Sequence, residues 1–429
     1  MFRWYSTVFS PVLRHRHRYH RWSNRLWSAS PTLVFSAQYH LPRAQNLHFS
    51  TSRAMTSTTH AQSSVTPPQT VCVAVVGVGL VGSEFISQLQ HFPAPSPFRL
   101  VLLASSKKLL FAPDGLAPTV DWQAQLQSSS TKHDYAFLTR ELGALVRPGQ
   151  KVVLVDNTSS EDVARLYPSW LKLGIDVVTP NKKAFSGEAG LFEGILAACA
   201  ESGARCLNEA TVGAGLPVVS TLKDLVATGD KVVKIEGVFS GTMSYIFNNF
   251  STGSADGPSF SAVVKTAREK GYTEPHPGDD LNGADVARKL AILARHIPAI
   301  PRTLLPAGYA SVQTQSLVPA ALATAPDGDA FLAALPAHDA DFDALRRQAA
   351  ADGAVLRFVG VVDVEKGEVR AELKRYSNTH PFATSLGGSD NIIMFHTERY
   401  SPRPLIIQGA GAGAAVTAMG VMSDLLKLV

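Results

Sequence analysis

A chain of 429 residues, 45% hydrophobic and 17% charged, is too long for one average core and too ordinary for a fibrous or disordered protein. Its pI near 9.0 suggests nucleic acid only until the charge is mapped: residues 1–55 carry eight arginines, no lysine and no acid, and the first acid is Glu84. The remainder holds 32 basic against 35 acidic side chains, a net charge of −3, so no nucleic-acid partner is expected, and no apolar run of about 18 residues is present to span a membrane.

The leader is rich in Arg, His, Ser, Trp and Phe, which is the composition of a mitochondrial presequence. Met55 in "RAMTSTTHAQ" is an alternative start. Translation from Met1 implies the mitochondrial matrix, and translation from Met55 implies the cytoplasm. Under either start, residues 1–68 are expected to be weakly ordered and to lie outside the fold. Cys72, Cys199 and Cys206 form no CxxC pair and keep no histidine at metal spacing, so they read as reduced, buried thiols.

Past "TPPQT", the run "VCVAVV" (71–76) predicts a buried parallel strand. A glycine turn and a helix follow, with Leu80, Phe85, Ile86 and Leu89 along one side. "RLVLLAS" (99–105) predicts a second strand, and a polar, irregular stretch leads to a third over 151–160. A helix near 161–173, a strand over 175–185, a helix near 188–202 and a strand over 204–208 complete the pattern. Strands alternating with helices predict an α/β doubly wound, Rossmann-like parallel sheet over 69–215.

The pattern then changes. A helix near 216–229, a strand over 231–242, helices near 259–270 and 283–297, an Ala/Pro-rich connection and a hairpin turning at "EKGE" predict a second, α+β domain over 216–403 on a mostly antiparallel sheet. The last segment, 404–429, reads as strand, glycine turn and helix returning to the first domain, with close backbone approach at Gly411 and Gly413.

Gly77, Gly79 and Gly82 form a G-x-G-x-x-G directly after a buried strand. With Val78, Leu80 and Val81 between them they predict a turn whose backbone N–H groups meet a dinucleotide pyrophosphate at a helix N-terminus. Tight strand–helix packing alone is the competing reading. An acid closing the second strand would bind a ribose 2′-hydroxyl and repel a 2′-phosphate. Here Ser105, Ser106, Lys107 and Lys108 stand instead, which favours NADP(H) over NAD(H), unless the lysines are simply solvated. "DNTSS", with Asn157, Thr158 and Ser159, and "TPNKKAF", with Lys182, end the next strands, where an open α/β sheet meets its ligand. Lys182 is expected at a substrate carboxylate or the nicotinamide.

Glu209 in "EATVGAGLP" precedes a run able to turn carbonyls inward, the makings of a hard-cation site, although a local cap or ion pair explains it equally. In "GYTEPHPGDDLNGADVARKL", Asp285 and Lys289 stand at i and i+4 of a predicted helix, which is by itself an ordinary exposed pair. Glu274, Asp279 and Asp280 crowd the approach on a Pro- and Gly-stiffened turn. Such an acidic turn suits a substrate ammonium, and a desolvated lysine beside a carboxylate suits proton transfer.

Taken together, "VDNTSS", "TPNKKAF", "EATVGAGLP", "KIEGVFSGT", "GYTEPHPGDDLNGADVARK" and "IIQGAGAGAAVTA" resemble homoserine dehydrogenase in its short, monofunctional fungal form, over about Val71 to the C-terminus. The resemblance implies NAD(P)-dependent interconversion of L-homoserine and L-aspartate 4-semialdehyde, on the route to threonine, methionine and isoleucine. It implies Lys289 as acid/base with Asp285 beside it. It places Glu274 and Asp280 on homoserine with Gly241 and Thr242, Lys182 near the nicotinamide, and Thr158 and Gly413 on the cofactor. It also implies a monovalent cation, usually sodium, at Glu209 and the carbonyls of Val212, Ala214 and Leu216, and a homodimer formed through the sheet of the second domain. Related fungal sequences tend to carry acids where this chain has Ser105 and Lys107, which strengthens the expectation of NADP. No aspartate kinase domain precedes the enzyme and no room remains after Val429 for an ACT domain, so feedback control by threonine through such a domain is not expected. Two rival readings are a dehydrogenase of another amino acid and a non-catalytic NADP-binding sensor; a sensor has no need of the lysine and acids retained here.

Overall fold

The computed structural model describes residues 70–429. The basic leader and the choice of start lie outside the described residues. The first sheet contains β1 (Thr70–Val76), β2 (Phe98–Ala104), β3 (Leu109–Phe111), β4 (Gln150–Asp156), β5 (Asp176–Val178) and β6 (Cys206–Leu207), in the order β3-β2-β1-β4-β5-β6. All neighbours are parallel except β3, an antiparallel edge on β2. In β1, Val71, Val73 and Val75 pack under the helices Leu80–Gln90 and Ala414–Leu426, while Cys72, Ala74 and Val76 face the opposite core. A strand buried on both faces requires the unbroken apolar run seen in the sequence.

The second sheet contains β7 (Val232–Val238), β8 (Gln313–Thr314), β9 (Ala354–Asp363), β10 (Glu368–Ser377), β11 (Asp390–Thr397) and β12 (Leu405–Ala410), in the order β12-β11-β7-β9-β10-β8. Its pairs are antiparallel except β10 with β8. Helices Gly241–Phe250 and Ala284–Ala294 pack against β9.

Several elements differ from the sequence reading. The strand expected over 151–160 stops at Asp156, because its carboxylate accepts the Thr158 N–H at 2.8 Å and turns the chain. The strand expected over 175–185 is three residues long, and Pro180 and Asn181 turn it into a short helix, Lys183–Ser186. The polar stretch after β2 contains β3 and the helices Trp122–Ser128 and Tyr135–Leu145, capped by Asp121 and Asp134. The strand expected to reach residue 242 ends at Val238, where Ser240 caps the unanticipated helix Gly241–Phe250 by accepting the Met243 N–H at 3.2 Å. Its aromatic, β-branched sequence favours strand locally, but burial of Met243, Ile246, Phe247 and Phe250 overrides that preference. The C-terminal segment divides: β12 joins the second sheet by pairing with β11, and only the following helix returns to the first. Leu80 leaves its expected apolar stripe and stands 84% exposed.

Candidate active site

A crevice of about 750 Å³ opens between the carboxyl ends of β1, β4 and β5 and the helices of the second sheet. On the first side, Gly77 has φ +89°, and a Cβ there would lie 2.7 Å from Thr158 Cγ2. A Cβ on Gly82 would fall 2.0 Å from the Gly77 carbonyl, whereas one on Gly79 meets nothing within 4 Å. The outer glycines therefore permit packing, and the middle one keeps the helix N-terminus open for close approach by a pyrophosphate. Val81, Asn157, Thr158, Ser159 and Gly413 line the crevice; Gly77, Val78, Gly79, Leu80 and Ser105–Lys108 stand outside its wall. The Asn157 amide is buried, and neither its nitrogen nor its oxygen has a partner among the described residues. A desolvated, unpaired amide at a strand's carboxyl end fits a cofactor that supplies both bonds.

The Ser105 hydroxyl accepts the Lys108 N–H at 3.0 Å, and its carbonyl lies 2.6 Å from His133 Nδ1. Lys108 turns its ammonium onto the Gln127 carbonyl, away from a ribose. Ser106 and Lys107 remain exposed.

On the second side, the helix Ala284–Ala294 starts from Gly283 at φ +75°, where a Cβ would press within 2.9 Å of Thr314 and the Phe358 ring. Lys289 Nζ lies 2.7 Å from Asp285 Oδ2 and donates to the Phe239 carbonyl at 2.7 Å. Lys182 Nζ reaches the other oxygen of Asp285 at 3.3 Å. Lys289 is only 7% exposed. Burial pushes its pKa down; Asp285 pulls the other way and the Lys182 charge reinforces the fall. Burial would raise the Asp285 carboxyl, but Lys289 and Lys182 outweigh it and hold that group well below the usual range.

Asp280 Oδ2 accepts the Glu274 N–H at 2.8 Å. The Thr242 hydroxyl lies 2.8 Å from Asp280 Oδ1 and 2.6 Å from the Tyr272 carbonyl, so one proton serves two acceptors. Burial is the largest influence on Asp280 and, with the charges of Glu274 and Asp285, pushes it up to about 6 against those hydrogen bonds. Glu274, Asp279 and Gly241 line the same end of the crevice. His296, two turns beyond Lys289, lines a separate cavity with Phe192 and Arg302.

At the expected cation site, Glu209 and Leu216 have partners within the chain. Both oxygens of buried Glu209 accept backbone N–H groups, from Val219 at 2.7 Å and Ser220 at 2.9 Å, and the Lys427 ammonium stands 3.6 Å away. The Leu216 carbonyl already accepts from Val218 N at 2.8 Å. Glu209 thereby caps the helix Val218–Ala227, and neither the Val212 nor the Ala214 carbonyl accepts a backbone hydrogen bond among the described residues.

Asn391 is a residue the sequence reading missed. Its amide donates to the same Phe239 carbonyl at 2.7 Å, and a Cβ on Gly411 would overlap it at 2.1 Å. The only local signal was an amide directly before the apolar run Ile392–Phe395.

Fold and crevice together define a nicotinamide-dependent oxidoreductase. Two family models match: "Homoserine dehydrogenase, NAD binding domain" over residues 77–209 and "Homoserine dehydrogenase" over 217–426. The chain belongs to the homoserine dehydrogenase family. It is 47% identical to the homoserine dehydrogenase of Emericella nidulans, over 84% of this chain and 98% of that one. It is also similar to the crystal structure of a Candida auris protein of unknown function, with 44% identity, a TM-score of 0.77, and coverage of 84% of this chain and 98% of that one. A hyperthermophilic archaeal homoserine dehydrogenase in complex with NADPH shares the fold at a TM-score of 0.60 and 21% identity, covering 83% of this chain and 97% of that one.

Proposed function

We infer that the chain interconverts L-homoserine and L-aspartate 4-semialdehyde with a nicotinamide cofactor, and that Lys289 moves the proton. The observation that carries this reading is the buried Lys289 held by Asp285, at the meeting of a dinucleotide crevice with an acidic turn. When bound, the nicotinamide supplies or accepts the hydride. The chain positions and protonates. Asn157, Thr158 and the open turn at Gly79 seat the cofactor, and Asp280 and Glu274 take the substrate ammonium, selecting an amino acid over a simple aldehyde. Fixing both reactants makes the step effectively unimolecular. In the reductive direction charge develops on the aldehyde oxygen, and Lys289 stabilises and protonates it. Residues 69–215 serve the cofactor and 216–403 the substrate. Residues 404–429 tie the two parts together, with the strand in one sheet and the helix on the other.

NADP(H) is the preferred cofactor in this reading, with Ser105, Ser106 and Lys107 facing a 2′-phosphate. Loss of one hydrogen bond to a charged group is worth about 1.5–3 kcal/mol, so Lys107→Ala is expected to lower kcat/KM for NADPH roughly 10–100-fold and leave NADH nearly unaffected. Lys108→Ala changes the ratio little, because its ammonium is engaged elsewhere. Equal losses with both cofactors would remove Lys107 from specificity.

Glu209, held by two backbone N–H groups and the Lys427 ammonium, serves as a helix cap in this reading. Steady-state rates in a tetramethylammonium buffer free of sodium and potassium are expected to equal those with sodium; activation by sodium that is lost in Glu209→Gln would restore the cation reading. A homodimer through the second sheet belongs to the same proposal, supported by the edge strand β12 with Ile406 41% exposed; a monomer in sedimentation equilibrium at micromolar concentration would reject it. Among the described residues no helix is long and apolar enough to cross a membrane. The compartment follows the start site, the cytoplasm from Met55 and the mitochondrial matrix from Met1, and N-terminal sequencing of the native protein distinguishes them.

A further inference from the structure

Lys182 sits on a turn, residues 179–187, that belongs to neither sheet, yet its ammonium must meet Asp285 on a helix of the second. Two side chains outside the crevice wall hold that turn, one at each end. Upstream, Asp156 at the end of β4 is fully buried and makes no ion pair among the described residues. Its Oδ2 accepts from Asn181 Nδ2 at 3.0 Å and from the Tyr167 hydroxyl, and its Oδ1 accepts the Thr158 N–H at 2.8 Å. Asn181 also donates to the Ser160 carbonyl at 2.8 Å and accepts the Lys183 N–H at 3.0 Å, so it ties the turn to the loop that follows β4. Downstream, Arg295 caps the helix that carries Asp285 and Lys289. Its guanidinium donates to the Phe185 carbonyl at 2.6 Å and to the Gly187 carbonyl, with no acid paired to it among the described residues.

A carboxylate buried without a cation is costly, and a guanidinium spent on two carbonyls forgoes a stronger partner. Both costs fall on the segment that presents Lys182. We propose that Asp156 and Arg295 are positioning residues, which fix the Lys182 ammonium against Asp285 from the nucleotide sheet and from the catalytic helix respectively. The same carboxylate orients Thr158, so one group registers the cofactor side with the proton-transfer side. The proposal rests on the dehydrogenase reading above.

The consequence reaches Lys289. The charges facing it are Asp285 on its own helix, Lys182 from the turn and Asp280 from the acidic turn, with the Phe239 carbonyl as its neutral partner. A slack turn withdraws the Lys182 charge, which had lowered the Lys289 pKa. Lys289 then holds its proton to higher pH, and the limb where reductive activity is lost on raising pH moves up.

The test is a pair of double-mutant cycles, Asp156→Asn with Lys182→Met and Arg295→Met with Lys182→Met, reading kcat, both KM values, the pH profile and the melting temperature. Each anchor variant alone is expected to lower kcat about 10-fold and to move the basic limb upward, as Lys182→Met does. In the Lys182→Met background each is expected to change kcat by less than about twofold, because contacts that act through one group are not additive. Should Asp156→Asn fail to fold, Tyr167→Phe keeps the carboxylate, removes one donor and is expected to move the limb in the same direction. Full additivity with Lys182→Met, or a lower melting temperature with an unmoved pH profile, overturns the proposal. Normal turnover by Lys289→Ala overturns the acid/base reading instead, and the kcat cycles still decide the anchors.

Discussion

Lys289→Ala is expected to lower kcat by two to four orders of magnitude, the range for loss of a positioned acid/base, with the cofactor KM changed less than about twofold. The separation follows from position: Lys289 projects from the helix Ala284–Ala294, and the glycine turn and Asn157 lie on the first sheet. Removing the ammonium leaves Asp285 paired with Lys182 at 3.3 Å and 46% exposed, so no uncompensated buried charge results and the fold should survive. Lys289→Arg separates charge from proton transfer. A guanidinium does not release its proton in this pH range, so charge alone predicts partial activity without a basic limb, and proton transfer predicts activity as low as in the alanine variant. Near-normal turnover in Lys289→Ala would refute the acid/base assignment.

Asp280→Asn is the second large effect. With its carboxyl pushed up to about 6, Asp280 is ionised at neutral pH and ready for an ammonium, and it loses that charge as pH falls through that value. In the parent enzyme kcat/KM for the amino-acid substrate is therefore expected to fall on the acid side with a midpoint near 6. The asparagine variant raises KM roughly 10–100-fold at pH 7.5, consistent with the loss of a charge-assisted bond, and has no such limb. The stability sign is opposite. The folded-state pKa lies above the unfolded value near 3.8, so the folded protein gains stability from this group as pH falls from about 6 to 4. At neutral pH the ionised group costs stability, and Asp280→Asn should melt at or above the parent temperature. An unchanged KM and a retained acid limb would place the ammonium elsewhere.

The sequence revealed most about the site where local chemistry was overdetermined. A glycine turn after an unbroken apolar run predicted the strand–turn–helix seen at Gly77–Gly82, and the Asp285–Lys289 spacing became a helical pair with the expected geometry. Long-range choices were hidden. Nothing in "SGTMSYIFNNF" shows that Ser240 would cap a helix rather than extend β7, because the decision lies in burial against β9 and β11. Lys182 was singled out, but its meeting with Asp285 depends on a turn held by Asp156 and Arg295, separated by 139 positions in the chain and conspicuous for neither. Lys108 and Glu209 show the converse. Each had the right charge for a ligand, and each is engaged by a nearby backbone group that composition does not disclose.

The central claim is tested most directly by following NADPH oxidation with L-aspartate 4-semialdehyde beside oxaloacetate plus ammonia. Saturable turnover with the semialdehyde, homoserine as product and no rate with oxaloacetate plus ammonia are predicted. Turnover with oxaloacetate plus ammonia instead, or cofactor binding without oxidation of NADPH under either condition, would contradict it.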